Sequence, residues 1–218
     1  MKRIAAVLIC CLAGISGWSQ THSVEVWTGL ETSADISKRI SIDFQAETRW
    51  QQTSALLKQL IAETGVDYNL SKNVFIGASY KIADKYKKNG YYPEHTIAGV
   101  VGYKKKFDSF KFAVQSKLNV SKNTYIKDEV SLRPTVIDKN KIKITYTGIH
   151  HIRPSAFVET YHVVAPGSHY HIATAKYSVN CSFEFRKNTS VDLGYMLRHE
   201  IDDQLLLSIF TLTLGKSF

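Results

Sequence analysis

Cysteine is nearly missing from this 218-residue chain, which contains Cys10, Cys11 and Cys181 alone. Cys10 and Cys11 lie in an N-terminal segment that we expect to be removed, so the mature chain would keep one cysteine. A single cysteine cannot build a disulfide framework. A secreted chain of this size without disulfides must therefore bury a large core or sit in a membrane.

The N-terminal segment has the pattern of a secretory signal peptide. Lys2 and Arg3 give it a basic start, residues 4–13 are apolar, and the small residues Gly17 and Ser19 precede a cleavage site. The apolar part is too short to cross a membrane as a helix. We expect residues 1–19 to be removed and residues 20–218 to form one β-barrel domain.

Helical spacing and long apolar runs are missing from the mature chain, so no transmembrane helix is predicted. Catalytic and metal motifs are missing as well, including glycine-rich phosphate loops, CxxC pairs and HExxH. His162, His169 and His171 could meet across a hairpin, but they have no cysteine partner and fall near loop ends, where histidine is common. We therefore predict no catalytic residues, no metal site and no cofactor.

Negative charge is in the minority, since the formal net charge is +9. Two basic residues lie in the predicted leader, which leaves 26 basic and 19 acidic residues, or +7, in the mature chain. A basic balance can indicate nucleic acid or an anionic surface as a partner. Here the basic residues alternate singly with apolar ones, so nucleic acid is not expected to bind.

A two-residue alternation is what the chain has instead, most clearly over residues 39–51. Ile40, Ile42, Phe44 and Trp50 share one phase, and Asp43 belongs to the polar phase. Successive side chains of a strand point to opposite faces, so this strand has one apolar and one polar face. Strands of soluble proteins usually have about five or six residues, and this one is longer. A strand that spans a bilayer needs roughly nine to eleven residues.

The same alternation recurs along the mature chain and predicts an all-β fold. Residues 84–94 are predicted to be a loop, and turns are predicted at 138–141 and within 148–153. Twelve strands are the main prediction and ten the alternative, because bacterial single-chain barrels have even strand numbers. The predicted strands cover 23–32, 39–51, 56–70, 73–83, 95–104, 110–120, 125–137, 141–162 (divided by the turn within 148–153), 171–185, 191–199 and 204–218.

Three features favour a transmembrane antiparallel up-and-down β-barrel over a soluble sandwich. Every predicted strand has an apolar face, and a bilayer tolerates no open sheet edge. The chain ends in an aromatic residue, Phe218, on an alternating strand, which resembles the assembly signal of outer-membrane barrels. Aromatic residues lie near strand ends, as an aromatic girdle requires: Trp50, Tyr80, Tyr103, Tyr146 and Phe185.

The polar phase divides into two predicted walls of the barrel lumen. Two interpretations stay open: a salt-bridged plug without a pore, or a narrow channel with a transverse electric field. The acidic wall consists of Glu25, Glu31, Asp43, Glu47, Glu63 and Asp67. The basic wall consists of Lys111, Lys117, Lys127, Arg133, Lys143 and Arg153.

Several short motifs make the chain similar to a known family. They are Trp27-Thr28-Gly29, Glu47-Thr48-Arg49, Arg133-Pro134, the later Pro154 and Glu159, and the C-terminal strand with its final Phe218. On these residues the chain resembles the domain of unknown function (DUF) family 2490, over nearly the whole mature length. The resemblance implies an outer-membrane β-barrel without an established activity or catalytic residues.

We therefore expect a porin-like protein of a Gram-negative cell outer membrane, of structural or narrow-channel type, and not an enzyme. One alternative is a barrel enzyme that acts at the rim on lipid or peptide, with His199, Asp202 and Asp203 as candidates. A second alternative is a secreted lipocalin-like binder of a small ligand. Expected partners are outer-membrane lipid, lipopolysaccharide and the barrel-assembly machinery, which would bind the C-terminal strand. We expect a monomer.

Overall fold

A computed structural model describes residues 22–51, 56–87, 90–123, 134–164, 170–186 and 188–218. These residues form a closed all-β barrel in which each strand pairs with its neighbours in chain order. The predicted leader, residues 1–19, lies outside the described residues. The strands are β1 (His22–Asp35), β2 (Ile40–Gln51), β3 (Leu56–Asn69), β4 (Val74–Lys87), β5 (Gly90–Phe107), β6 (Phe110–Asn123), β7 (Thr135–Tyr146), β8 (Ile152–Val163), β9 (His171–Arg186), β10 (Thr189–Glu200) and β11 (Leu205–Ser217).

The alternation of the sequence becomes the two faces of the barrel wall. On β2, Phe44 is 46% exposed on the outer surface. Its neighbour Asp43 points the other way, because its carboxylate occupies the space where a Cβ at Gly65 of β3 would stand. A shift of one residue would exchange every inner and outer side chain, so the apolar pattern fixes the register.

The described strands number eleven, so the predictions of twelve and of ten strands are both wrong. In an up-and-down barrel each strand reverses the direction of the one before it. An odd number therefore leaves the first and last strands running the same way. Accordingly β1 pairs with β11 in parallel, with Trp27 opposite Thr211, while all other pairs are antiparallel.

The surplus predicted strand results from a turn that does not form. Residues 138–141 lie inside β7, which runs without interruption from Thr135 to Tyr146. Asp138 stays in the strand because it accepts hydrogen bonds from Ser116, Asn140 and Tyr170. Most of the predicted strand at 125–137 lies outside the described residues. The turn predicted within 148–153 does form, since β7 ends at Tyr146 and β8 begins at Ile152.

The loop predicted at residues 84–94 is also wrong for its described part, because β4 continues to Lys87 and β5 begins at Gly90. The charged residues have partners there. Lys85 forms an ion pair with Glu94 across the two strands, with 2.6 Å between Nζ and Oε2. The rings of Tyr86 and Tyr91 meet edge-on at 5.3 Å between centroids.

A β-bulge explains why Lys58 breaks the alternation of β3. Arg49 pairs with Gln59 and Trp50 with Leu57, which leaves Lys58 as the extra residue. A bulge places one additional residue in one strand and can redirect its side chain. Lys58 therefore reaches the inside of the barrel, where its ammonium lies 2.6 Å from the Glu25 carboxylate.

The barrel has two distinct ends. β1 and β11 both begin at one end, which we call the His22 end, and both finish at the other, the Ser217 end. The connections at the Ser217 end are residues 36–39, 70–73, 108–109, 147–151 and 187–188, and none exceeds five residues. Within the described part of the chain, no helix is both long and apolar enough to cross a membrane.

Candidate functional site: the barrel lumen

Contacts between strands that are not neighbours identify the residues that point into the lumen. Lys117 of β6 forms an ion pair with Glu63 of β3, which passes over two intervening strands. The ammonium of Lys176 on β9 lies 5.3 Å from the centre of the Trp27 ring on β1. Such contacts are possible only across the inside of the barrel, so the lumen is crossed by side chains at several points.

The predicted acidic wall lies on inward-facing positions of β1, β2 and β3: Glu25, Glu31, Asp43, Glu47, Glu63 and Asp67. Glu25 is buried and accepts hydrogen bonds from Lys58 Nζ at 2.6 Å and Trp27 Nε1 at 2.8 Å. Glu47 pairs with Arg49 on its own strand, at 2.6 Å between Oε1 and Nε. The carboxylate of Asp67 occupies the space where a Cβ at Gly77 of β4 would stand.

Four members of the predicted basic wall are described, and all four occupy inward positions: Lys111, Lys117, Lys143 and Arg153. Lys127 and Arg133 lie outside the described residues. Lys117 joins the two predicted walls through its ion pair with Glu63. Arg153 instead pairs with Glu184 of the neighbouring strand β9, at 2.7 Å. Among the described wall residues, Lys117 and Glu63 form the one ion pair between the walls.

An apolar cluster also occupies the lumen, and its position was not predicted. It consists of the buried side chains of Trp27, Met196, Leu207 and Ile209, which we call the lumen cluster. Phe157 of β8 packs against it. The guanidinium of Arg49 stacks 3.7 Å from the centre of the Trp27 ring, so the edge of the cluster is cationic.

A cavity of about 530 Å³ lies towards the His22 end, and we call it the basic cavity. Among its described lining residues, seven are cationic and five are carboxylates, a formal excess of +2. Each of the five carboxylates has an ion-pair partner within 4.0 Å: Glu25 with Lys58, Glu47 with Arg49, Glu63 with Lys117, Glu94 with Lys85, and Glu200 with Arg198.

A second cavity, of about 430 Å³, lies towards the Ser217 end, and we call it the acidic cavity. Its described lining has four carboxylates, from Glu31, Asp43, Glu184 and Asp192, and two cations, a formal excess of −2. The two cavities have Gln45 alone in common among their described lining residues. The charge difference between them therefore runs along the barrel axis, and not only across it.

The histidines do not gather into a common site. The ring of His162 stacks on Tyr170 at 4.6 Å, whereas His171 Nε2 lies 3.2 Å from Asp202 Oδ2 at the rim. His169 lies outside the described residues. Within the described ranges, no three side chains of His, Cys, Asp or Glu are arranged to hold a metal ion.

Comparison with known proteins places the chain in a family. The family model described as "Protein of unknown function (DUF2490)" matches residues 24–204, which is most of the chain. The chain belongs to the DUF2490 family. This confirms the resemblance noted from its sequence motifs. No curated protein matches this member of the DUF2490 family.

A solved structure shares the fold of this DUF2490 protein. It is titled "NanC porin structure in rhombohedral crystal form", and it has a TM-score of 0.53 at 10% sequence identity. The match covers 84% of this chain and 90% of the NanC chain. At this level of identity the likeness concerns the fold alone, and it supports the closed all-β barrel with a porin-like architecture.

Some lumen residues that were not predicted do have a recognisable pattern in the sequence. Apolar residues occupy both phases at the start of β11, where Leu206 is followed by Leu207 and Ile209. This double pattern marks a strand with apolar side chains on its inner face as well. Lys139 was hidden by the turn wrongly predicted at 138–141. Lys81 and Lys176 stand in the polar phase but outside the two predicted walls.

Proposed function

We propose that this chain is an outer-membrane β-barrel that forms a narrow channel, closed in the present conformation by the lumen cluster. The observation that carries the proposal is the pair of charged cavities inside one closed barrel. In a barrel whose lumen is filled by its own side chains, polar cavities of this size at both ends are not expected. Lining charges of this kind set which solutes a pore admits.

The outer surface supports a location in a membrane. It exposes apolar side chains from every strand of the barrel, such as Leu30, Ile97, Ile142 and Leu212. On β5, the exposed rings of Tyr91 and Tyr103 are twelve residues apart. At about 3.3 Å per residue and a tilt of about 40°, this separation corresponds to about 30 Å along the barrel axis. That is close to the thickness of a bilayer's hydrocarbon core.

Aromatic residues at both ends of this band fit the two girdles of a membrane barrel. Towards the Ser217 end lie the exposed rings of Tyr68, Tyr103, Phe107, Phe110, Phe185 and Phe218. Towards the His22 end lie those of Trp50, Tyr86, Tyr91 and Tyr170. The fold likeness to the NanC porin adds a precedent for such a barrel.

The lengths of the connections suggest which end faces outward. Periplasmic turns of such barrels are short, and extracellular loops are longer. Connections at the Ser217 end have two to five residues. At the His22 end, 52–55, 88–89 and 201–204 are equally short, but 124–134 and 164–170 are longer than any connection at the Ser217 end. We therefore assign the Ser217 end to the periplasm, and the basic cavity then opens towards the cell exterior.

The polar lumen and the apolar outer surface favour a channel over the two alternative functions. A secreted lipocalin-like binder would have an apolar lumen and a polar outer surface, the reverse of the arrangement around Asp43 and Phe44. The rim pair of His171 and Asp202 has the composition of an acid–base pair, but two such residues are common at a solvent-exposed rim. Proposed partners remain outer-membrane lipid, lipopolysaccharide and the barrel-assembly machinery, for a monomeric barrel.

Planar-bilayer recording of the folded protein tests the proposed channel. We expect small unitary currents from the wild-type protein. Replacing two members of the lumen cluster, in the variant Met196→Ala/Ile209→Ala, should raise the unitary conductance at least about twofold because it widens the closed region.

The matched control is Leu193→Ala/Leu212→Ala, which removes two exposed leucine side chains from the outer faces of the same two strands. Its conductance should equal that of the wild type. Folding of each variant is checked by heat-modifiable gel mobility. Folded protein that gives no current in either the wild type or the cluster variant would leave a structural barrel and refute the channel.

A further inference from the structure

Two lysines of the basic cavity, Lys81 and Lys139, have no carboxylate partner among the described residues. All five carboxylates of the described lining pair with other cations, as given above. Lys176 pairs with Glu159 of β8, at 3.8 Å between Nζ and Oε2. Among the described residues, no carboxylate oxygen lies within 4.0 Å of the ammonium of Lys81 or Lys139. The unpaired charge of this cavity therefore resides in Lys81 and Lys139, and Lys176 lines the same space.

The three lysines come from well-separated strands, β4, β7 and β9, and converge on one space. Tyr161 helps to hold two of them, because the ammonium groups of Lys139 and Lys176 lie 4.8 Å and 4.7 Å from the centre of its ring. Lys176 is buried, and Lys81 and Lys139 repel each other electrostatically. Concentrating like charges in a partly dry space is unfavourable unless an opposite charge joins them.

The size of the basic cavity suits a small molecule. The cavity volume of about 530 Å³ lies within the usual range for small-molecule sites, roughly 300–1,000 Å³.

We propose that the basic cavity binds a small organic anion carrying two or more carboxylate or phosphate groups, held between Lys81, Lys139 and Lys176. The inference rests on the proposed function, since it names the class of solute that would occupy the channel from the His22 end. Two or more anionic groups are needed because the lysines approach from separate strands. The acidic cavity, with its excess of −2, would repel the same solute, so the anion is expected to bind in the basic cavity and not in the acidic one.

Isothermal titration calorimetry on the folded protein in a zwitterionic detergent tests the site. The probes are citrate, inorganic pyrophosphate and, as an uncharged comparison, glucose. We expect both anions to bind and glucose not to bind. In Lys81→Gln/Lys139→Gln, anion affinity should fall about tenfold or more, the loss expected for at least one charge-assisted hydrogen bond.

Two further variants separate the site from general charge and folding effects. Lys105→Gln/Lys122→Gln makes the same charge change on the outer face and should bind like the wild type. Lys81→Arg/Lys139→Arg keeps the charges and should retain most of the affinity. If the double glutamine variant does not fold, the single variants Lys81→Gln and Lys139→Gln should each weaken binding several-fold.

The outcomes distinguish this site from the channel itself. Anion binding that depends on Lys81 and Lys139, but without bilayer currents, would support the site and refute the channel. Currents without anion binding would support the channel and overturn the site. Equal affinity in Lys81→Gln/Lys139→Gln and the wild type would also overturn it, because the anion would then lie elsewhere.

Discussion

At the scale of single residues, the charged side chains of the lumen fall into two groups: those that have an ion-pair partner and those that do not. The Lys117–Glu63 pair is the clearest paired case, with side chains that are 18% and 19% exposed. At this burial, removing one partner leaves a charge in a region of low dielectric, which costs more than the pair itself contributes. The Arg153–Glu184 pair at the Ser217 end is 51% and 33% exposed, and solvent screens it.

A double-mutant cycle on the first pair measures this difference. We expect Glu63→Gln and Lys117→Gln each to lower the free energy of unfolding by about 1–3 kcal/mol, and the double variant to recover much of that loss. The measurement is urea unfolding in phospholipid vesicles, followed by tryptophan fluorescence. The same cycle on Arg153 and Glu184 should give a coupling energy below about 1 kcal/mol. Equal coupling in both pairs would show that the lumen is as well hydrated as the rim.

At the scale of strands, packing between inner side chains depends on glycines at defined positions. Gly102 of β5 lies directly opposite Phe75 of β4, and a Cβ at Gly102 would overlap the Phe75 ring. Gly99, on the outer face of the same strand, has open space where its Cβ would stand. The two glycines therefore differ in whether a side chain can be accommodated.

Substitution of both glycines by alanine tests this packing. Gly102→Ala should lower the free energy of unfolding by about 1–3 kcal/mol, because the buried Phe75 ring must move. Gly99→Ala should leave stability unchanged or raise it by up to about 1 kcal/mol, since glycine in a strand is entropically unfavourable. Thermal unfolding by circular dichroism in detergent checks both variants. A Gly102→Ala barrel as stable as the wild type would mean that Phe75 is not fixed against β5.

The strand register was largely predictable from the sequence, because phase errors on a long apolar face would be costly. Residues 39–51 show this well: the predicted outer set, including Phe44, is exposed on the outer face. Strand ends were harder to predict. Asp138 and Lys85 look like turn residues, but partners on neighbouring strands satisfy them inside strands. Such partners are set by the tertiary structure and cannot be seen in local composition.

The lumen was only partly predictable for a similar reason. Polar phase identified the inward charges, but it could not tell which of them would be paired. Lys58 reaches Glu25 through a bulge, which no alternation rule indicates. The two unpaired lysines of the basic cavity, Lys81 and Lys139, can be identified only once the ion pairs of all strands around the barrel are known.

At the scale of the whole molecule, one closed wall separates an apolar outer band from a lumen that contains a basic and an acidic cavity. The proposed channel and its proposed anion site both require that this outer band lies in a bilayer. Ile97 is 67% exposed and lies six residues from each of Tyr91 and Tyr103 on β5. If those rings mark the two membrane interfaces, Ile97 lies near the bilayer midplane.

Depth-dependent fluorescence quenching at Ile97 tests the membrane-spanning barrel most directly. The protein carries Cys181→Ser and Ile97→Cys, is labelled with an environment-sensitive fluorophore, and is folded into vesicles of brominated phospholipid. A comparison protein carries Asp108→Cys, in the turn at the Ser217 end. We predict that bromines deep in the acyl chains quench the label at position 97, and that aqueous iodide quenches only the label at position 108. Strong iodide quenching at position 97, without quenching by bromine, would contradict the account.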